Sequence, residues 1–235
     1  MASCERFPLI GRTDPRVAQF PEFSLSSRFS GGGLACRRGG RLVFQGLDFA
    51  LAAGGALLLT GPNGSGKSSL LRVMAGLTPP SAGGLAWNRT AVTDDPPAHR
   101  ARLHLVGHLD ALKPVLTVGE TLAFWAAMRG GTRAAVLPAL ARFHLVPLAE
   151  LPCRFLSAGQ RRRLALARLV ASPAPVWLLD EPGTGLDEAS TTDLLAAIAQ
   201  HRASGGMVAA ATHADLPLPD AKPLALEDFA PRRAA

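Results

Sequence analysis

The stretch "GPNGSGKS" (61–68) limits what this chain can fold into more than any other. The apolar run "ALLLTG" (56–61) ends on its first glycine, and "KSSLLRVMAGL" (67–77) follows with Leu70, Leu71, Met74 and Leu77 at one-face helical spacing. A strand must therefore turn sharply into a helix. Glycines allow successive backbone N–H groups to point inward, and the positive end of the helix adds to the pull on an anion. The G-x-x-x-x-G-K-[ST] spacing makes that anion a nucleotide phosphate: the lysine reaches the β and γ oxygens and the hydroxyl faces Mg²⁺. Gly61, Pro62, Asn63, Gly64, Ser65, Gly66, Lys67, Ser68 and Ser69 are thus the candidate ATP-binding residues, with Ser68 also a candidate Mg²⁺ ligand.

Such a turn belongs in a parallel sheet, and two later runs supply one. "VWLLD" (176–180) and "MVAAATH" (207–213) are continuously apolar, as strands covered on both faces are, and a helical stretch near 188–203 separates them, closing at Gly205 and Gly206. Strand, helix, strand at this spacing is a βαβ unit. Asp180 and Glu181 stand at the C-terminal end of the first run, Asp180 placed to hold Mg²⁺ and Glu181 to polarise an attacking water. Between the two halves the pattern turns helical. "TVGETLAFWAAMRG" (117–130) opens with the Thr-x-x-Glu of a capping box, and a second helical stretch over 132–146 is broken, or begins, at Pro138. "RLVFQGLDFAL" (41–51) reads as a further strand.

Composition narrows the setting. With 235 residues and 48% hydrophobic content the chain is a folded globular protein with one sizeable core. No apolar run reaches the length of a spanning helix; "LALARLVASPAPVWLL" (164–179) comes closest and is interrupted by Arg168, Pro173 and Pro175. The net charge of +7 would suit nucleic acid, but the arginines are scattered and only "QRRR" (160–163) is dense, so no nucleic-acid partner is expected. Cys4, Cys36 and Cys153 form no C-x-x-C pair and no C-x-x-C-H haem attachment, which fits a reduced cytoplasmic compartment. Residues 1–33 carry Pro8, Pro15 and Pro21 and run out in "SSRFSGGG"; they are expected to be a disordered extension or a misplaced translation start.

"LSAGQ" (156–160), before the helix "RRRLALARLVAS", resembles the signature motif of ATP-binding cassette (ABC) proteins, with Ala158 at a glycine position. "TGLD" (184–187) and His213 resemble that family's loop after the acidic strand and its switch histidine; the likeness covers about residues 33 to 230. It implies an α/β fold: a P-loop NTPase, an ABC nucleotide-binding domain over 34–230 with an antiparallel β subdomain and an α-helical subdomain inserted at about 95–172, and a 231–235 tail. It also implies that two copies sandwich two ATP molecules head to tail. Leu156, Ser157, Ala158, Gly159 and Gln160 of one copy would then face the ATP held by the other, with Asp187 in the adjoining loop and His213 at the γ-phosphate. The three arginines at that helix N-terminus either meet phosphate or form a solvated basic face.

Two positions depart from the family pattern. His108 stands nine residues before the Thr-Val of "LTV", where the family carries a glutamine at the Mg²⁺ or attacking water. An imidazole donates or accepts as the amide does, but it takes up a proton near neutrality, so turnover is expected to depend on pH. Arg38 sits where an aromatic residue ordinarily stacks on adenine; a guanidinium can stack on a base, or it is surface charge. "GH…ALKP.LTV.E.L.FW" and "GLACRRGGRLVFQGLDFAL" are similar to one branch, the CcmA family, the ATP-binding subunits of the cytochrome c biogenesis (haem exporter) ABC complex. That branch implies a peripheral ATPase on the cytoplasmic face of the bacterial inner membrane, docked on a CcmB-like permease with CcmC- and CcmD-like haem-handling subunits. Phe124 and Trp125 are candidates either for the docking surface or for the helical subdomain's own core. The alternatives are the ATPase of another small exporter, a soluble ABC protein acting on nucleic acid or ribosomes, and a non-hydrolysing regulatory cassette.

Overall fold

The computed structural model describes residues 23–108, 110–212 and 216–231. In chain order β1 (Arg28–Arg38) and β2 (Arg41–Ala52) form a hairpin, and β3 (Ala56–Thr60) enters the glycine-rich turn before α1 (Lys67–Met74). β4 (Ala82–Trp87) and β5 (Thr90–Ala91) follow, then α2 (Pro96–Ala101), β6 (Leu103–Val106), α3 (Val118–Met128), α4 (Val136–Arg142) and α5 (Ala158–Ala171). The chain continues through β7 (Val176–Asp180), α6 (Glu188–Ala203), β8 (Met207–Ala211) and β9 (Lys222–Ala225). Strands β2-β1-β4-β5 make an antiparallel sheet, and β6-β7-β8-β3-β9 make a parallel one.

Period-two alternation explains why the apolar runs are continuous. On β7, Val176 and Leu178 join the core shared with α1 and the antiparallel sheet, whereas Trp177 and Leu179 face the core shared with α5 and α6. On β8, Met207, Ala209 and Ala211 take the first side and Val208 and Ala210 the second. A polar residue at any of these positions would sit in one core or the other. The sheet is thereby held rigid at its C-terminal edge, where Asp180 and the turn after β3 emerge.

The capping box expected at Thr117 is present: Thr117 Oγ1 accepts from the Glu120 N–H (3.1 Å), and Glu120 Oε2 accepts from the Thr117 N–H (2.8 Å). Pro138 is the third residue of α4, in the first turn, where a missing N–H breaks no helical bond.

Two expected boundaries are corrected. β1 starts at Arg28, inside the stretch assigned to a disordered 1–33 extension, and the Phe23 N–H already donates to the Ser204 carbonyl (2.9 Å). The glycines at the end of that stretch form a bulge: pairing with β2 shifts register between Gly31 and Leu34 while fully buried Phe29 anchors the strand. Residues 1–22 lie outside the described residues. The helical insert expected over about 95–172 is not all helical subdomain, since β6 belongs to the parallel sheet through its pairing with β7.

Candidate nucleotide site

The turn after β3 works only because Gly66 caps α1. Its φ of +108° is foreign to residues with side chains, and a Cβ there would stand 2.7 Å from Val43 Cγ1 and 3.2 Å from Phe44 Cδ1. The antiparallel sheet therefore presses directly on the turn. Lys67, at the start of α1, is 6% exposed, and its Nζ donates to the Gly61 (2.6 Å) and Pro62 (3.2 Å) carbonyls. Burial lowers the affinity of this ammonium for its proton, and Glu181 and Asp180 oppose that shift. Ser65 Oγ is buried in the same loop with no hydrogen-bond partner among the described residues, as suits a cradle made for an oxyanion.

Ser68 and Asp180 are 112 positions apart, yet Ser68 Oγ donates to Asp180 Oδ1 at 3.0 Å. A hydroxyl and a carboxylate side by side are hard oxygen donors of the kind Mg²⁺ takes alongside waters and phosphate, so these two residues fit that ion. The cleft above them, about 430 Å³, is lined by Arg38, Val43, Asn63, Gly64, Gly66, Lys67, Ser68, Ser69, His108, Asp180 and Glu181. His108 is exposed and reaches the cleft from the segment after β6. Arg38 lies at the same cleft's wall beside Val43. His213 lies outside the described residues.

Glu181 follows β7 with φ +49°, an uncommon conformation for a residue with a long side chain. Its N–H donates to the Ala211 carbonyl (2.8 Å), and its own carbonyl accepts from the Thr184 N–H (3.2 Å) and from Arg162 Nη2 (2.6 Å).

Leu156 is buried, while Ser157 and Ala158 are exposed, and none of the residues from 156 to 160 lines the cleft of its own chain. Ser157 is the N-cap of α5: its Oγ accepts from the Gln160 N–H (3.2 Å), and Gln160 Oε1 accepts from the Ser157 N–H (2.8 Å). Gly159 approaches the loop after β7, where a Cβ would sit 3.1 Å from the Gly185 carbonyl oxygen. Asp187 in that loop caps α6 through the Ser190 N–H (2.8 Å), and hydrogen bonding by Ser190 holds its carboxyl below the usual range.

Sequence reasoning missed two features here. Ser-x-x-Gln is a capping-box pattern, readable in "LSAGQ" but masked by the motif it belongs to. In the sequence Arg162 reads like its neighbours, as part of a basic face or a phosphate contact. It is 6% exposed and points inward, donating to the backbone carbonyls of Asp180 (2.8 Å), Glu181 (2.6 Å), Pro182 (3.3 Å) and Gly107 (2.8 Å).

A family model described as ABC transporter matches residues 44–184. The cytochrome c biogenesis ATP-binding export protein CcmA of Rhodospirillum rubrum is 58% identical over 217 residues, covering 92% of each chain. Its counterpart in Paramagnetospirillum magneticum is 59% identical, covering 87% of this chain and 96% of its own. This chain belongs to the CcmA family of ABC ATP-binding proteins. As a CcmA-family member it is an ABC-type ATPase that uses ATP with Mg²⁺. An ABC transporter ATP-binding protein from Pyrococcus furiosus matches the fold with a TM-score of 0.76 at 21% identity, covering 87% of this chain and all of its own. A bacterial Atm1-family ABC exporter solved with ATP bound gives 0.75 at 23% identity, covering 88% of this chain and 38% of its own. The α/β fold with its two sheets is thus the expected one.

Proposed function

We propose that this chain is the ATPase subunit of a cytochrome c biogenesis exporter, coupling MgATP hydrolysis to haem export or to release of the haem chaperone. It works as two copies on the cytoplasmic face of the bacterial inner membrane, docked on a CcmB-like permease with CcmC- and CcmD-like subunits. The observation that carries the reading is the cleft in which Lys67, Ser68, Asp180, Glu181 and His108 converge while Ser157 and Ala158 stay exposed outside it. A phosphate site with its second anion-binding helix facing elsewhere is complete only when another copy supplies that helix.

In this site the 61–69 loop and Lys67 bind the triphosphate, Lys67 exchanging its own loop carbonyls for β and γ oxygens. Ser68 and Asp180 would hold Mg²⁺, which neutralises charge on the phosphates. Glu181 orients and polarises the attacking water, His108 contacts the γ-phosphate side of the cleft, and Arg38 stacks on the base beside Val43. His213 is assigned to the γ-phosphate on sequence grounds. The helical segment exposes Val115 (73%), Phe124 (43%), Met128 (63%) and Phe155 (60%), a set suited to an apolar partner surface. Trp125 does not join Phe124 there: it is half-buried under the Arg168 guanidinium, 5.1 Å from the ring centre.

The test is to tag the C-terminus of the full chain, solubilise native membranes gently and identify what co-purifies. Recovery of a multi-span permease with haem-handling subunits is expected. A different permease would sink the haem assignment, and ribosomes or nucleic acid would overturn the transporter reading.

A further inference from the structure

β6 is an edge strand, and the carbonyls of Leu103, Leu105 and Gly107 face away from β7. Each receives a different guanidinium from the helical segment: Arg129 at the end of α3 donates to Leu103, Arg168 of α5 to Leu105, and Arg162 of α5 to Gly107. Unpaired carbonyls at a covered sheet edge are costly, so this arginine ladder knits the helical segment to the parallel sheet. Arg168 and Arg162 are 7% and 6% exposed, and Asp110 is the carboxylate beside Arg162, at 3.4 Å.

Arg162 differs from the other two rungs. Beyond the strand edge, its Nη2 reaches the carbonyls of Asp180 and Glu181, and its Nε reaches that of Pro182. The bonds to Gly107 and Asp110 bracket His108. One planar group therefore fixes the backbone on which Glu181 sits at φ +49° and the segment that carries His108 into the cleft. A left-handed non-glycine residue persists only where its surroundings over-determine it, and Arg162 is a large part of those surroundings. It also lies two residues after Gln160, on the helix that Ser157 caps.

We propose that Arg162 is a positioning residue for hydrolysis: it holds Glu181 and the His108 segment in register with each other and ties both to the signature helix. Movement of α5, as when its N-terminus meets a nucleotide held by a second copy, is thereby passed to the carboxylate that acts on water. The proposal rests on the assignment of Glu181 to that role.

The test compares full-length Arg162→Lys with Arg168→Lys, a rung of similar burial that bonds the strand edge and stacks on Trp125 but reaches neither the Glu181 backbone nor the His108 segment. Lysine keeps the charge and loses the fork. For Arg162→Lys, kcat for ATP falls on the order of 10- to 100-fold while KM stays within about threefold, because the carboxylate is misplaced and the phosphate cradle is not. Arg168→Lys lowers the unfolding midpoint and keeps kcat within about twofold. If Arg162→Lys also unfolds early, Arg162→Gln must show the same split of kcat from KM. Wild-type turnover in Arg162→Lys, or a fall of kcat accompanied by a loss of ATP affinity of the same size, overturns the proposal. Glu181→Gln is run alongside: turnover surviving there overturns the assignment of Glu181, a result distinguishable from failure at Arg162 alone.

Discussion

Lowering the pH from 7 to 5 will destabilise this chain through two histidines buried beneath the sheet that carries the nucleotide site. His201 is fully buried and stacks on Trp177 of β7, ring centres 3.9 Å apart and planes within 6°. His104, opposite Trp177 across the β6–β7 pairing, has its Nε2 3.1 Å from both the carbonyl and the hydroxyl oxygen of Ser172. Burial pushes both imidazoles down to about 3, and for His104 the Arg129 guanidinium adds to the effect. An unfolded histidine titrates near 6.5, so between these values the unfolded chain binds more protons and stability falls as pH falls. At about 1.4 kcal/mol per pH unit, each group costs roughly 2 kcal/mol at pH 5, and the two together about 4. That is a large part of a typical domain's 5–15 kcal/mol. Urea unfolding at pH 7, 6 and 5 reads the loss directly as a shift in midpoint at constant slope. In His104→Gln/His201→Gln the drop between pH 7 and 5 should shrink by most of that amount, whatever the variant's stability at pH 7, while buried His99, whose imidazole is also pushed down by burial, keeps a remainder. An equal drop in the double variant, or none in the wild type, would refute the linkage argument.

Two other perturbations act on the cleft itself. His108→Gln is expected to keep ATP turnover, because the amide donates and accepts as the imidazole does, whereas His108→Ala lowers kcat/KM; equal rates in the two variants would remove His108 from the reaction. Gly66→Ala places a methyl 2.7 Å from Val43 Cγ1 at a φ of +108°. It should cost about 1–3 kcal/mol in strain and weaken ATP binding by at least about tenfold, read by nucleotide titration. Wild-type affinity would mean that the antiparallel sheet does not press on the turn.

Much of the fold was legible because its signals are local. The apolar runs at 56–61, 176–180 and 207–213 announce strands covered on both faces, and Thr117 with Glu120 announces α3. What escaped needed tertiary partners. β1 hides behind three consecutive glycines, since nothing local reveals that Phe29 is pinned against Phe49 and Trp87. β9 contains Pro223 and is an edge strand, where a missing N–H is tolerated. Arg162 shows the limit most clearly. In "QRRR" it is indistinguishable from exposed Arg161, and only the fold brings the carbonyls of Gly107, Asp180 and Glu181 around its guanidinium. The glycine-rich loop and the acidic pair were readable because each carries its chemistry within a few residues. The signature was readable as a motif, and its distance from its own chain's cleft only through the resemblance to the ABC family.

That distance gives the most direct test of the central claim, a hydrolytic site built from two copies. Full-length Lys67→Ala, lacking the phosphate lysine, and Ser157→Arg, blocking the signature helix, are each assayed alone and then mixed in equal amounts. In a head-to-tail pair, half of the mixed dimers' sites combine an intact loop with an intact signature. Random pairing therefore restores about a quarter of wild-type ATP turnover from two inactive proteins. A mixture that shows only the sum of the two separate rates would contradict the shared site.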